Sequence, residues 1–162
     1  MKDFKSLQNI HKDKDIWIVS GGPSLNHIDK SFFENKIVLG VNDIFRYFDC
    51  DYVVVKDCNE EPIFPRLVQE LKEKDIPLIY SQYYKGYEEK GLNNCDNPNS
   101  YMFKHNPRKK DFDMELMELD IDEEIIVSRS TVTTAVHIAY YMGPKNIILC
   151  GHDGGEIDGQ MY

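Results

Sequence analysis

The chain has 162 residues, a formal net charge of −9, 41% hydrophobic residues and 29% charged residues. This balance fits one folded domain over residues 1–162 and excludes a largely disordered chain. The acidic excess disfavours tight binding to a nucleic-acid backbone, which needs clustered Lys and Arg, and the basic run Arg108-Lys109-Lys110 reads as a solvated patch.

No apolar run approaches the roughly 20 residues that span a bilayer, and Met1-Lys2-Asp3-Phe4-Lys5 opens no signal peptide. The chain therefore reads as cytoplasmic, without a transmembrane segment. Cys50, Cys58, Cys95 and Cys150 are widely spaced and show no C-x-x-C pair, so neither a zinc knuckle nor a disulfide framework is expected.

Residues 1–15 mix Lys and Asp among polar neighbours and are expected to form a frayed lead-in or a short helix. Ile16-Trp17-Ile18-Val19 is the first strand, and it runs directly into Ser20-Gly21-Gly22-Pro23-Ser24, as a buried parallel strand does when it stops at a tight turn. Gly21 and Gly22 lack a Cβ and let an anion approach the peptide N–H groups; Pro23 fixes φ, and Ser24 offers a hydroxyl. The same residues equally suit a plain sharp corner. The spacing is not G-x-G-x-x-G and there is no P-loop Lys, which disfavours nicotinamide dinucleotides and Walker-type ATP binding.

Ile28, Phe32 and Phe33 fit one face of a short helix. Lys36 to Val41 is a second strand that stops at Asn42-Asp43, where open α/β sheets bind ligands. Asn42 suits a nucleobase edge or a ribose hydroxyl, and Asn42 or Asp43 can instead cap a helix starting near Ile44. The third strand, Asp51 to Val55, ends at Lys56-Asp57-Cys58-Asn59, which offers a cation and a carboxylate or forms a plain loop. Asp49-Cys50-Asp51 spells the D-x-D of metal-dependent sugar transferases but precedes its strand, and it is set aside.

From Pro62 to Lys74, the positions of Phe64, Leu67, Val68 and Leu71 predict an amphipathic helix, followed by a fourth strand from Ile76 to Tyr80. Residues 81–123 lack periodicity and read as a long loop; its Tyr83, Tyr84, Tyr87 and Tyr101 either stack on a base or pin the loop to the core. Glu124-Ile125-Ile126-Val127 then leads to Ser130-Thr131-Val132-Thr133-Thr134 and a helix to Met142. Hydroxyls in that first turn favour an anion, or serve as ordinary caps. Asn146 to Cys150 is the last strand, ending at Gly151-His152-Asp153, where either side chain can face a ligand or belong to a polar turn. Strands alternating with helices give an α/β fold with a mostly parallel sheet of about five strands.

Two blocks together resemble a known family. Val19-Ser20-Gly21-Gly22-Pro23-Ser24-Leu25, and Ser130-Thr131-Val132-Thr133-Thr134-Ala135 with Gly143-Pro144-Lys145-Asn146-Ile147 leading to Gly151-His152-Asp153, look like the MptE-like domain proteins. They are similar, more distantly, to the family 42 bacterial sialyltransferases. The resemblance is concentrated in residues 16–43 and 125–154. It implies a Rossmann-like nucleotide-binding fold with helices on both faces of the sheet.

In the sialyltransferases the matching positions contact the cytidine nucleotide of the donor, which carries that role onto Gly21, Gly22, Pro23, Ser24, Asn42, Ser130 and Thr131. Ser20 and Asp43 complete the candidate binding set. Gly21 stands where those enzymes carry Asn, and their essential histidine lies beyond the equivalent of the last strand. His152 is the histidine near that strand end here, though no motif equates it with that base.

The resemblance implies a nucleotide-sugar-dependent glycosyltransferase with a CMP-type donor and an unknown acceptor, with His152 and Asp153 as candidate catalytic residues. The alternative is an ATP- and Mg²⁺-dependent diphosphokinase of the 6-hydroxymethylpterin type, with Asp43, Asp57, Asp153 and Asp158 as candidate metal ligands. A third reading is a non-catalytic nucleotide-binding module, or a fragment whose catalytic part lies past Tyr162. Any of the three is compatible with a homo-oligomer.

Overall fold

The computed structural model describes residues 1–56, 63–81, 95–106, 124–126, 130–154, 156–157 and 160–161. Seven strands form one sheet: β1 (Asp15–Val19), β2 (Ile37–Val41), β3 (Tyr52–Val55), β4 (Leu78–Ser81), β5 (Ser100–Asn106), β6 (Glu124–Ile126) and β7 (Asn146–Cys150). Every neighbouring pair is parallel. Among the described residues two α-helices cover it, α1 (Ile63–Glu73) and α2 (Thr131–Tyr141), and a short antiparallel pair, β8 (Glu156–Ile157) and β9 (Gln160–Met161), forms a separate sheet.

A parallel sheet is buried on both faces, so its strands read as continuous apolar runs. On one face Ile16, Ile18, Leu39, Val41, Val54, Ile79, Tyr101 and Phe103 lie under Val132, Ala135, Ile138 and Ala139 of α2. On the other, Phe64, Leu67, Val68 and Leu71 of α1 pack on Val53, Val55, Leu78 and Tyr80. Beside them Leu25, Phe33, Ile44 and Phe48 cover Val19 and Val38.

The strand order is β6-β5-β4-β3-β2-β1-β7. The chain steps one way from β1 to β6, then crosses back through α2 to lay β7 on the far side of β1. The order therefore reverses between β1 and β7, and the carboxyl ends of those two strands are the topological switch point where open α/β sheets hold ligands.

Two expectations change and one open choice is decided. The helix predicted around residues 28–33 is two 3-10 segments, Pro23–His27 and Lys30–Phe33, because Asp29 interrupts it: its carboxylate accepts the Ser31 N–H at 2.8 Å and starts the second segment. Of the two readings of the lead-in, the short helix is found and the frayed segment is not: Phe4–Leu7 is a 3-10 turn whose Phe4 and Leu7, three residues apart, share one face and enter the core at 3% and 0% exposure. The stretch read as a loop over residues 81–123 contains β5, with Tyr101 and Phe103 buried in the core. Of its tyrosines, Tyr83, Tyr84 and Tyr87 lie outside the described residues, as do Arg108-Lys109-Lys110 and Cys58.

The first residues also strap the sheet. Lys2 donates its N–H to Ser100 O at 2.7 Å, while Asn9 and His11 donate to Tyr141 O and Met142 O, both at 3.0 Å. Phe4 stacks on Tyr141 with ring centroids 5.1 Å apart.

Candidate functional site

At the switch point β1 and β7 are fastened to each other by the turns that follow them. The Ser20 N–H donates to Cys150 O at 3.0 Å, which extends the ladder by one residue. Gly151 O then accepts two bonds, one from the Ser20 hydroxyl at 2.6 Å and one from the Gly22 N–H at 2.7 Å. Gly151 has φ +65 and lies against Ser20 O and Leu25, so both its backbone and its surroundings require glycine. A Cβ on Gly22 would stand 2.5 Å from both Gly151 O and Asp153 Oδ2. The paired glycines thus serve close approach of two backbones at Gly22, whereas Gly21 faces open space.

Asp153 completes the fastening. Its Oδ2 accepts the Ser24 N–H at 2.8 Å, at the start of the Pro23–His27 segment. Hydrogen bonds from the Ser24 hydroxyl and N–H hold the Asp153 carboxyl below its ordinary value, and the neighbouring His152 acts in the same direction. The turn that reads as an anion cradle therefore has an anion of its own chain in it. Pro23 has no N–H, and the N–H groups of Gly22 and Ser24 are both committed. Among the described residues the Gly21 N–H makes no backbone hydrogen bond. His152 is exposed.

Asn42 and Asp43 follow β2 at the same edge, next to β1. Asn42 has φ 57, a left-handed backbone that Asn tolerates better than most residues, and its N–H donates to Val54 O at 2.9 Å. Its side chain is not used as a cap; both Asn42 and Asp43 are exposed. Asp43 precedes the 3-10 segment Ile44–Arg46 without a side-chain cap and pairs instead with Arg46 at 3.3 Å, which in turn holds Glu70 at 2.7 Å.

Ser130 and Thr131 start α2. Because α2 leaves the carboxyl end of β6 and returns to the amino end of β7, its first turn stands at the same edge as the β1 turn. Ser130 is the N-cap, its hydroxyl accepting the Val132 N–H at 3.2 Å, and Thr131 is 9% exposed. The structure thus brings Ser20, Gly22, Ser24 and Asp153 into direct contact, and sets Asn42, Asp43, Ser130 and Thr131 along the same edge. Gly151, absent from the predicted set, is the keystone of the contact. A glycine directly after an apolar strand was its signal, the same one that drew attention to Gly21 and Gly22.

Among the described residues no group of three or more His, Cys, Asp or Glu side chains could hold a metal ion. Asp57 and Asp158 lie outside those residues. Mg²⁺ binds through one or two carboxylates together with substrate phosphates, so the described carboxylates fit a metal carried on a nucleotide. Asp153 and Asp43 are described carboxylates at this edge. No helix among the described residues is long and apolar enough to cross a membrane.

A cleft of about 510 Å³ opens at the opposite, amino edge of the sheet, lined by Lys30, Lys36, Arg46, Cys50, Asp51 and Lys74 among others, and no predicted site residue borders it. Burial, together with the charges of Asp51 and Asp49, pushes the Cys50 thiol up to about 12, so it stays protonated and unreactive at neutral pH. Asp51 accepts the Val38 N–H at 2.8 Å, a structural use for half of the D-x-D spelling.

The chain matches, over residues 1–159, the family described as 6-hydroxymethylpterin diphosphokinase MptE-like. No curated protein matches it. The match corrects the expectation of a glycosyltransferase with a CMP-type donor: the family is described by a diphosphokinase. With the match running over almost its whole length, and with the Rossmann-like parallel sheet it carries, the chain belongs to the MptE-like family.

Proposed function

We propose that this protein transfers the terminal diphosphate of ATP to a primary hydroxyl on a pterin-like heterocycle. The observation that carries the reading is the family match over residues 1–159, and the switch-point edge supports it as the place where a nucleotide would lie. In this reaction the acceptor oxygen forms a bond to the β-phosphorus while the bond from that phosphorus to the oxygen bridging it to the α-phosphorus breaks. The electron pair leaves with AMP.

Such chemistry asks the protein for positioning and for charge stabilisation more than for a nucleophile. We assign the hydroxyls of Ser130 and Thr131, with the first-turn N–H groups of α2, to the phosphates; the Gly21 N–H adds one more donor. Asn42 is assigned to the ribose or the base. Ser20, Gly22, Pro23, Ser24 and Asp153 hold the β1 turn in shape, and the exposed imidazole of His152 is assigned to accept the proton of the attacking hydroxyl. Mg²⁺, bound through the phosphates and held by Asp153 or Asp43, would neutralise the charge that develops on the leaving AMP.

The test is direct. Purified protein incubated with ATP, Mg²⁺ and a hydroxymethylpterin should release AMP and diphosphorylated acceptor in equal amounts, read by phosphorus NMR and chromatography. Release of ADP in place of AMP, or no AMP from folded protein, would overturn the assignment.

A further inference from the structure

One side chain at this edge is not accounted for by the fold. Thr134, in the second turn of α2, is 0% exposed, and among the described residues its Oγ1 has no hydrogen-bond partner. A buried hydroxyl left without a partner is costly, and an isosteric Val would fill the same space without that cost. Thr134 lies on the face of α2 that meets the sheet, with Thr131, Ala135 and Ile138, all of them buried.

The direction of the side chain narrows its use. A helical Cα–Cβ bond tilts toward the helix N-terminus, so Thr134 leans under the first turn, toward Ser130 and Thr131. That turn stands at the carboxyl edge, and the Ser130 hydroxyl there accepts the Val132 N–H. A donor set beneath the positive end of a helix favours an anionic oxygen.

We propose that Thr134 is a further ligand-binding residue of this site, its hydroxyl donating to a phosphate oxygen of the nucleotide, directly or through one water. The proposal rests on the diphosphokinase reading and adds a residue to it. The competing use of the hydroxyl is a bond to the Ser130 carbonyl one turn back, which would be structural only.

Thr134→Val and Thr134→Ser separate the two uses when thermal melting and calorimetric titration with ATP and Mg²⁺ are read together. T134V should melt at or above the wild-type temperature yet bind about tenfold more weakly, the loss expected for one hydrogen bond to a charged oxygen. T134S should melt lower, having lost a buried methyl, and bind within about twofold of wild type. If T134V binds as wild type does, or T134S loses as much affinity as T134V, this proposal is overturned while the diphosphokinase reading stands. Absence of ATP binding by the wild type defeats both.

Discussion

At the end of β1 and at the start of α2 the chain gathers the same kinds of residue: glycines, serines and threonines, on one edge of one sheet. Their uses differ. At the first place nearly every small residue is consumed by the protein itself. Gly151 O takes the Ser20 hydroxyl and the Gly22 N–H, and Asp153 takes Ser24. At the second, the cap is satisfied by Ser130 but the Thr134 hydroxyl has no partner among the described residues. The contrast teaches that a glycine-rich turn after a strand is not by itself a phosphate cradle. What separates a fastening from a binding surface is whether the polar groups still have capacity once the chain has folded.

The sharpest way to break this comparison is at Gly151. Gly151→Ala forces a side chain onto a left-handed backbone and into Ser20 O and Leu25, and should cost about 3 kcal/mol or more, or prevent folding, as measured by urea denaturation. Next in size are Ser20→Ala and Ser130→Ala. Each removes one hydroxyl bond and should cost about 1 kcal/mol, but only the second should also weaken nucleotide binding. Equal losses of affinity in the two would erase the distinction between fastening and surface.

Asp153→Asn addresses the fastening through pH. Because the carboxyl of Asp153 is held below its ordinary value in the folded protein, its stabilising contribution is present above the unfolded value of about 3.9 and is lost as pH falls through the lower folded value. The urea midpoints of wild type and D153N should therefore differ at neutral pH and converge on acidification. A gap that persists at acid pH would mean that the Ser24 bond does not depend on charge. The smallest effect belongs to Gly21→Ala: its Cβ meets open space, so stability should stay within about 0.5 kcal/mol. A loss as large as that of G151A would show that the turn is tight throughout.

The sheet was legible because parallel strands buried on both faces announce themselves as apolar runs, and β1, β2, β3, β4 and β7 were bounded by Gly, Pro, Asn or Asp. β5 escaped because Ser100-Tyr101-Met102-Phe103-Lys104-His105-Asn106 ends in polar residues, and its first half sits among neighbours without periodicity. The lead-in escaped because Phe4 and Leu7 are only two anchors in a polar segment, too few to show a period. At the site, residue types were readable but partners were not. Nothing in the order of residues says that Asp153 meets Ser24 or that Gly22 rests on Gly151, since these contacts join positions about 130 apart. The orphaned Thr134 hydroxyl was hidden for the opposite reason, since a Thr in a helical run looks the same with or without a partner.

The strap formed by the first residues has a bearing on how the protein is made. Lys2, Asn9 and His11 are synthesised well before their acceptors at Ser100, Tyr141 and Met142. This segment consequently waits for its acceptors before it finds its place, and until it docks the ring faces of Phe103 and Tyr141 that Phe4 covers stay open to other partners.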